Sequence, residues 1–176
     1  MAKTYPAIGP FTAGDILNAA TMTDIETNLD NQRVPPMVRA VRTSDVSFTS
    51  GNAITFQSVT PADSGFDTDG MWSAGAPTRI TIQTDGVYQV TFTFFITGTS
   101  VTQFQSYIRQ GGSTLLAGSE SAAAVSSQAT STISVVCSLS ATNYLEGLVN
   151  MTGSSLSQRG TVIQCALQAV WVGQES

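Results

Sequence analysis

The sequence predicts an all-β fold, a jelly-roll β-sandwich carried behind a short N-terminal arm and helix. In residues 78–96, Ile80 and Ile82 alternate with Arg79, Thr81 and Gln83, then Tyr88, Val90, Phe92, Phe94 and Ile96 recur at every second place. Similar β-branched and aromatic runs follow one another from residue 37 to residue 172, punctuated by Gly51-Asn52, Asp69-Gly70, Asp85-Gly86 and Gly111-Gly112. No helical period interrupts them. Many short strands at close spacing build a sandwich or jelly roll, not a parallel sheet with crossover helices.

Residues 1–10 carry Pro6, Gly9 and Pro10 and read as an extended arm. A helix follows, with Thr21 as its cap and Asp24 three residues on as the acidic member of a capping box. Met22, Ile25 and Leu29 lie on one face, a stripe too short and narrow to hold a helix by itself. It must dock, on Phe11, Ile16 and Leu17 just upstream or on another subunit or protein, and these six residues form a candidate anchor. Pro35-Pro36 ends the segment and divides the chain into residues 1–35 and a β domain of residues 36–176.

Strands are expected at residues 37–42, 46–49, 53–59, 66–72, 78–83, 86–97, 102–109, 113–116, 130–139, 144–151 and 161–172, with Asp85-Gly86 as a tight turn between two of them. Residues 119–128, rich in Ser and Ala, read as a surface loop. In the last strand Ile163, Cys165, Leu167, Ala169 and Trp171 form a core face. The opposite face, with Gln164 and Gln168, is neither charged nor fully apolar and suits either a subunit interface or a mildly polar exterior.

Composition narrows the function. The net charge is -5, and seven Lys and Arg are scattered along the chain, which argues against a nucleic-acid partner. Histidine is absent, removing the commonest general base and zinc ligand together. With no Gly-rich phosphate loop, no Cys beside a base and no Gly-x-Ser-x-Gly, neither an enzyme nor a cofactor is expected. Asp67-Thr-Asp69-Gly, with Asp63 nearby, matches part of a calcium loop but lacks its terminal Glu; Asp67 and Asp69 are candidate ligands, and a plain Asp-rich turn is the other reading. Cys137 and Cys165 sit in apolar runs, as a disulfide or as two small buried hydrophobes. No signal peptide is evident in residues 1–10 and no run is long enough to cross a membrane, so synthesis in a cytoplasm without membrane insertion is expected.

Phe95, Tyr107, Arg109 and Trp72 stand out of phase with their strands' apolar sets or near strand ends, which makes them candidates for partner contact. Gln103, Gln105, Gln164 and Gln168 form uncharged ladders able to hydrogen-bond across a symmetry axis or to carbohydrate.

Met37-Val-Arg-Ala-Val-Arg-Thr, Ala53-Ile-Thr-Phe, Phe66-Asp-Thr-Asp-Gly-Met-Trp and Thr84-Asp-Gly-Val-Tyr-Gln-Val follow one another in an order that resembles the globular domain of the complement C1q and tumour-necrosis-factor-like superfamily. The resemblance covers residues 36–173 and implies a ten-stranded jelly roll that assembles as a compact trimer about a three-fold axis. Ala141-Thr-Asn-Tyr-Leu-Glu-Gly departs from it, standing where the family usually has Gly-Asp. Phe11-Thr-Ala-Gly-Asp-Ile-Leu-Asn-Ala-Ala-Thr-Met-Thr is similar to a segment at the start of small tailed-bacteriophage virion proteins. Together these imply a virion structural protein made in the host cytoplasm: a homotrimeric knob held to capsid or tail proteins through residues 1–35. It would act as a short fibre touching a host-surface glycan or protein, or as a capsid decoration. The alternative is a soluble bacterial C1q-like recognition module.

Overall fold

A computed structural model describes residues 8–10, 18–122, 128–160 and 165–174. Helix α1 (Ala19–Arg33) precedes nine strands: β1 (Met37–Val41), β2 (Val46–Ser47), β3 (Phe66–Asp67), β4 (Arg79–Thr81), β5 (Gly86–Gln110), β6 (Thr114–Ala122), β7 (Gln128–Leu139), β8 (Tyr144–Gln158) and β9 (Ala166–Gly173). Pairing is antiparallel throughout. One layer runs β3-β1-β9-β5-β7 and uses the first half of β5. The other runs β8-β5-β6 on the second half of β5, with β4 and β2 along opposite ends of β8. Between Thr97 and Gln103 the register of β5 shifts as the strand passes from one layer to the other.

The predicted core face holds. Tyr88, Val90, Phe92, Phe94 and Ile96 are fully buried, as are Ile80 and Ile82, and they meet Ile108, Leu145 and Val149 of the second layer in one cluster. Phe94 and Phe104 join the layers edge to face, with ring centroids 5.5 Å apart. Closer still, a Cβ at Gly147 would lie 2.3 Å from Cε2 of Phe92, so glycine lets β8 approach the aromatic row.

Several expectations change. Residues 78–83 and 86–97 do not make a hairpin: β4 pairs with β8, whereas β5 starts between β7 and β9. The Asp85-Gly86 turn therefore hands the chain from layer to layer. The strands expected at 86–97 and 102–109 are one strand; its register with β8 shifts between Thr97 and Thr99, and a Cβ at Gly98 would lie 2.6 Å from Cδ2 of Leu156, so glycine admits that side chain. Residues 53–59 form no extended strand: they pair at isolated bridges, Ala53 with Leu148 and Ser58 with Val41, while Ile54 and Phe56 are buried in the core. Of the loop expected at 119–128, residues 119–122 belong to β6 and Gln128 to β7, and residues 123–127 lie outside the described residues. Helix α1 is capped by Asn18, whose Oδ1 accepts the Thr21 N–H at 2.9 Å. Thr21 lies inside the first turn. Both cysteines are free, and burial pushes both thiols up from their ordinary values.

Candidate functional site

The aspartate-rich corner is built for structure. Asp67 accepts the backbone N–H groups of Asp69, Met71 and Trp72 at 3.2, 3.0 and 2.9 Å, folding the loop around its own carboxylate. Asp69 is buried and accepts the Thr84 hydroxyl at 2.8 Å; the Thr84 carbonyl in turn accepts the Tyr88 hydroxyl at 2.7 Å. Phe66-Asp67…Gly70 and Gly86-Val87-Tyr88, distant in sequence, thus form one hydrogen-bonded unit. Trp171 of the closing strand completes it: Nε1 donates to the Asp85 carbonyl at 3.3 Å, and a Cβ at Gly86 would lie only 2.2 Å from that nitrogen. Asp63 faces the hydroxyls of Ser58 and Thr60, whose hydrogen bonds hold its carboxyl below the usual range. The three carboxylates are engaged separately. Among the described residues no group of three or more His, Cys, Asp and Glu is placed to hold a metal.

The unusual turn at Ala141 has its own chemistry. The Ala141 N–H donates to Asp85 Oδ1 at 2.5 Å, and Asn143 Oδ1 accepts the Ser140 N–H at 3.0 Å and the Gln110 amide at 2.8 Å. Asn143 supplies locally what a Gly-Asp pair was expected to provide, and Thr142 takes a positive φ of 76°. Beneath the opposite end, Arg42 is buried; Nη1 donates to the Thr55 carbonyl at 2.9 Å, and burial lowers its pKa from the ordinary value.

The candidate contact residues separate into different places. Gln168 lies on the outer face of the first layer, in register with Thr91 of β5 and Arg39 of β1. Around it, Thr91 and Ser134 share a hydrogen bond at 3.0 Å, as do Thr93 and Thr132. Val136 is 62% exposed on the same face. Tyr107 and Arg109 lie on the outer face of the second layer, where Arg109 pairs with Glu146 at 2.7 Å. Phe95 is only 8% exposed within the chain itself: its N–H donates to Cys165 Sγ at 3.3 Å and its carbonyl accepts the Arg159 N–H at 3.0 Å. It is withdrawn from the surface set. Trp72 packs partly against the core, and Gln164 lies outside the described residues.

Of the anchor residues, Phe11, Ile16 and Leu17 also lie outside the described residues. Met22 and Leu29 are 42% and 55% exposed and Ile25 is half-buried, and among the described residues α1 shares no extensive packing with any strand. No described helix is long and apolar enough to cross a membrane.

The ladder residues Gln103 and Gln105 lie on the outer face of layer two, beside residues that sequence reasoning missed: Asn150 stands opposite Gln105, and Thr152 opposite Gln103. An open hollow of about 240 Å³ sits over them, bordered by Ser50. An adjoining hollow of about 310 Å³ runs over Tyr107 and Leu115, with Asn150 lining both. Polar alternation in β8 was the available signal; Ser50 arrives from a loop and left none.

No family model and no curated protein matches the chain. Among solved structures, the globular domain of zebrafish complement 1qA protein superposes with a TM-score of 0.56 at 10% identity, covering 80% of this chain and 99% of that one. The Eiger TNF structure from S. frugiperda gives 0.55 at 13% identity, covering 80% and 96%. At such identities the likeness establishes a shared C1q/TNF-like jelly-roll fold.

Proposed function

We propose that the chain is a non-enzymatic, homotrimeric recognition knob of a bacteriophage virion, joined to capsid or tail proteins through residues 1–35 and displayed as a short fibre or capsid decoration. The observation that carries self-assembly is the outer face of the first layer. Its β5, β7 and β9 positions, among them Gln89, Thr91, Thr93, Thr132, Ser134, Val136, Gln168 and Val170, include no charge; Arg39 stands at the β1 side. Close to a three-fold axis a side chain meets its own copies, so a charge there would face two like charges. Hydroxyls already paired with each other, beside exposed valine, avoid that repulsion and cost less to desolvate.

The attachment is supported by α1, where Met22 and Leu29 remain exposed, and by the virion-like segment before it. The fifth of the chain that the solved domains leave uncovered matches residues 1–35 in size.

Thr91→Arg, at the centre of the proposed interface, is expected to yield folded monomers: mass by light scattering falls to about one third with the far-ultraviolet dichroism unchanged. A mass that stays trimeric rejects this face. Removing residues 1–34 is expected to leave a folded trimer that no longer co-sediments with particles. An unfolded or monomeric product overturns the two-part architecture, and intact protein that never joins particles favours the soluble bacterial recognition module.

A further inference from the structure

We infer that the outer face of the second layer carries a binding site for a neutral saccharide, centred on Asn150 between Tyr107 and Ser50. This deepens the reading of the domain as a recognition knob and rests on that reading, though not on its attachment to a virion.

The two hollows on this face meet at Asn150 and differ in chemistry. On one side lie the Tyr107 ring and Leu115, which is 58% exposed. Gly118 stands opposite Tyr107, and a Cβ there would lie 2.8 Å from the ring, so glycine on β6 makes room for the ring to lie across the strand. Such a platform suits the C–H face of a pyranose. On the other side the polar groups are held with one function spent and another spare. Ser50 Oγ accepts the Met151 N–H at 2.7 Å and keeps its own proton to donate. Tyr107 donates to Gln105 Oε1 at 2.6 Å, leaving the Gln105 NH₂ as donor. Gln103 donates to Glu120 at 2.7 Å, leaving its carbonyl as acceptor. Among the described residues the Asn150 side chain makes no hydrogen bond, so it offers both kinds of group at the junction. Sugar hydroxyls, each donor and acceptor, require this mixture on side chains fixed by neighbouring strands.

Charge selects among sugars. Arg109 is held by Glu146 at 2.7 Å, and the other charge beside the polar hollow is Glu120. A sialylated, sulfated or phosphorylated ligand would find no unpaired cation there, whereas a neutral ligand has no such need. If the outer face of the first layer closes a trimer, this opposite face stays outward in three copies, and avidity multiplies a weak contact.

Intact protein is to be probed on a printed array of neutral and anionic oligosaccharides, and the best ligand then measured in solution by saturation-transfer NMR. Neutral glycans are expected to bind. Asn150→Ala and Tyr107→Ser are each expected to weaken binding about ten-fold or more without a change in melting temperature. Selective binding of anionic glycans, or no binding to any arrayed saccharide, overturns the ligand class. Neutral binding that survives both folded variants overturns the site while leaving the recognition reading intact.

Discussion

Replacing Gly147 by alanine is expected to destabilise the domain by about 1–3 kcal/mol, the usual cost of overpacking a close-packed interior. Gly147 faces inward from β8 between Leu145 and Val149, and an added Cβ would lie 2.3, 2.4 and 2.7 Å from Cε2, Cδ2 and Cζ of Phe92. That ring is fully buried, and Phe94 lies 6.1 Å away between centroids, so it cannot swing aside into solvent. The layers must separate locally or the ring must leave its rotamer. Chemical denaturation measures the loss. A double-mutant cycle identifies its cause: Phe92→Leu creates room and is expected to make Gly147→Ala less costly than in the parent, giving a favourable coupling between the two. A neutral Gly147→Ala, or two strictly additive changes, would refute the contact as the origin of the effect.

Phe95→Arg is expected to abolish or nearly abolish folding of the single chain. Removing a buried aromatic costs about 3–5 kcal/mol, and a guanidinium left there must also be desolvated or dragged outward. Those losses approach the whole stability of a typical domain, about 5–15 kcal/mol. Phe95→Leu keeps most of the apolar volume and should lose only part of that amount. Soluble yield and far-ultraviolet dichroism distinguish the cases. A well-folded, monomeric Phe95→Arg protein would place the ring at a subunit boundary instead, the outcome that the strand's alternation alone suggests.

Phe95 shows where sequence legibility stops. Tyr88 through Ile96 declare their inward face by period alone, because any apolar neighbour satisfies them. Phe95 belongs to the outward set by the same count, yet residues beyond the strand, Arg159 and Cys165, close over its backbone. Local alternation cannot anticipate cover supplied from 60 or more positions away. The Asp85-Gly86 signal was likewise sound as a turn but silent about destination, since the same residues serve a hairpin and a change of layer. Asn18 outcompeted Thr21 as a cap because the helix began earlier than its apolar stripe. For the surfaces, period assigned Tyr107 and Gln168 to outward faces correctly as strand positions, but only the pairing order reveals that they belong to different layers. Asn150, Ser50 and Gln105 converge through register and a loop, neither of which is written in any one segment.

The place of β9 carries a consequence for biosynthesis. Ala166–Gly173 inserts between β1 and β5, pairing with both. Until those residues leave the ribosome, Met37–Val41 lacks this partner and one edge of the early half of β5 stays open. The first layer therefore closes only after nearly all of this sequence has been translated. Nascent chains halted before that point would expose two unpaired, apolar strand edges and be prone to join one another, so holding by a chaperone matters most late in synthesis.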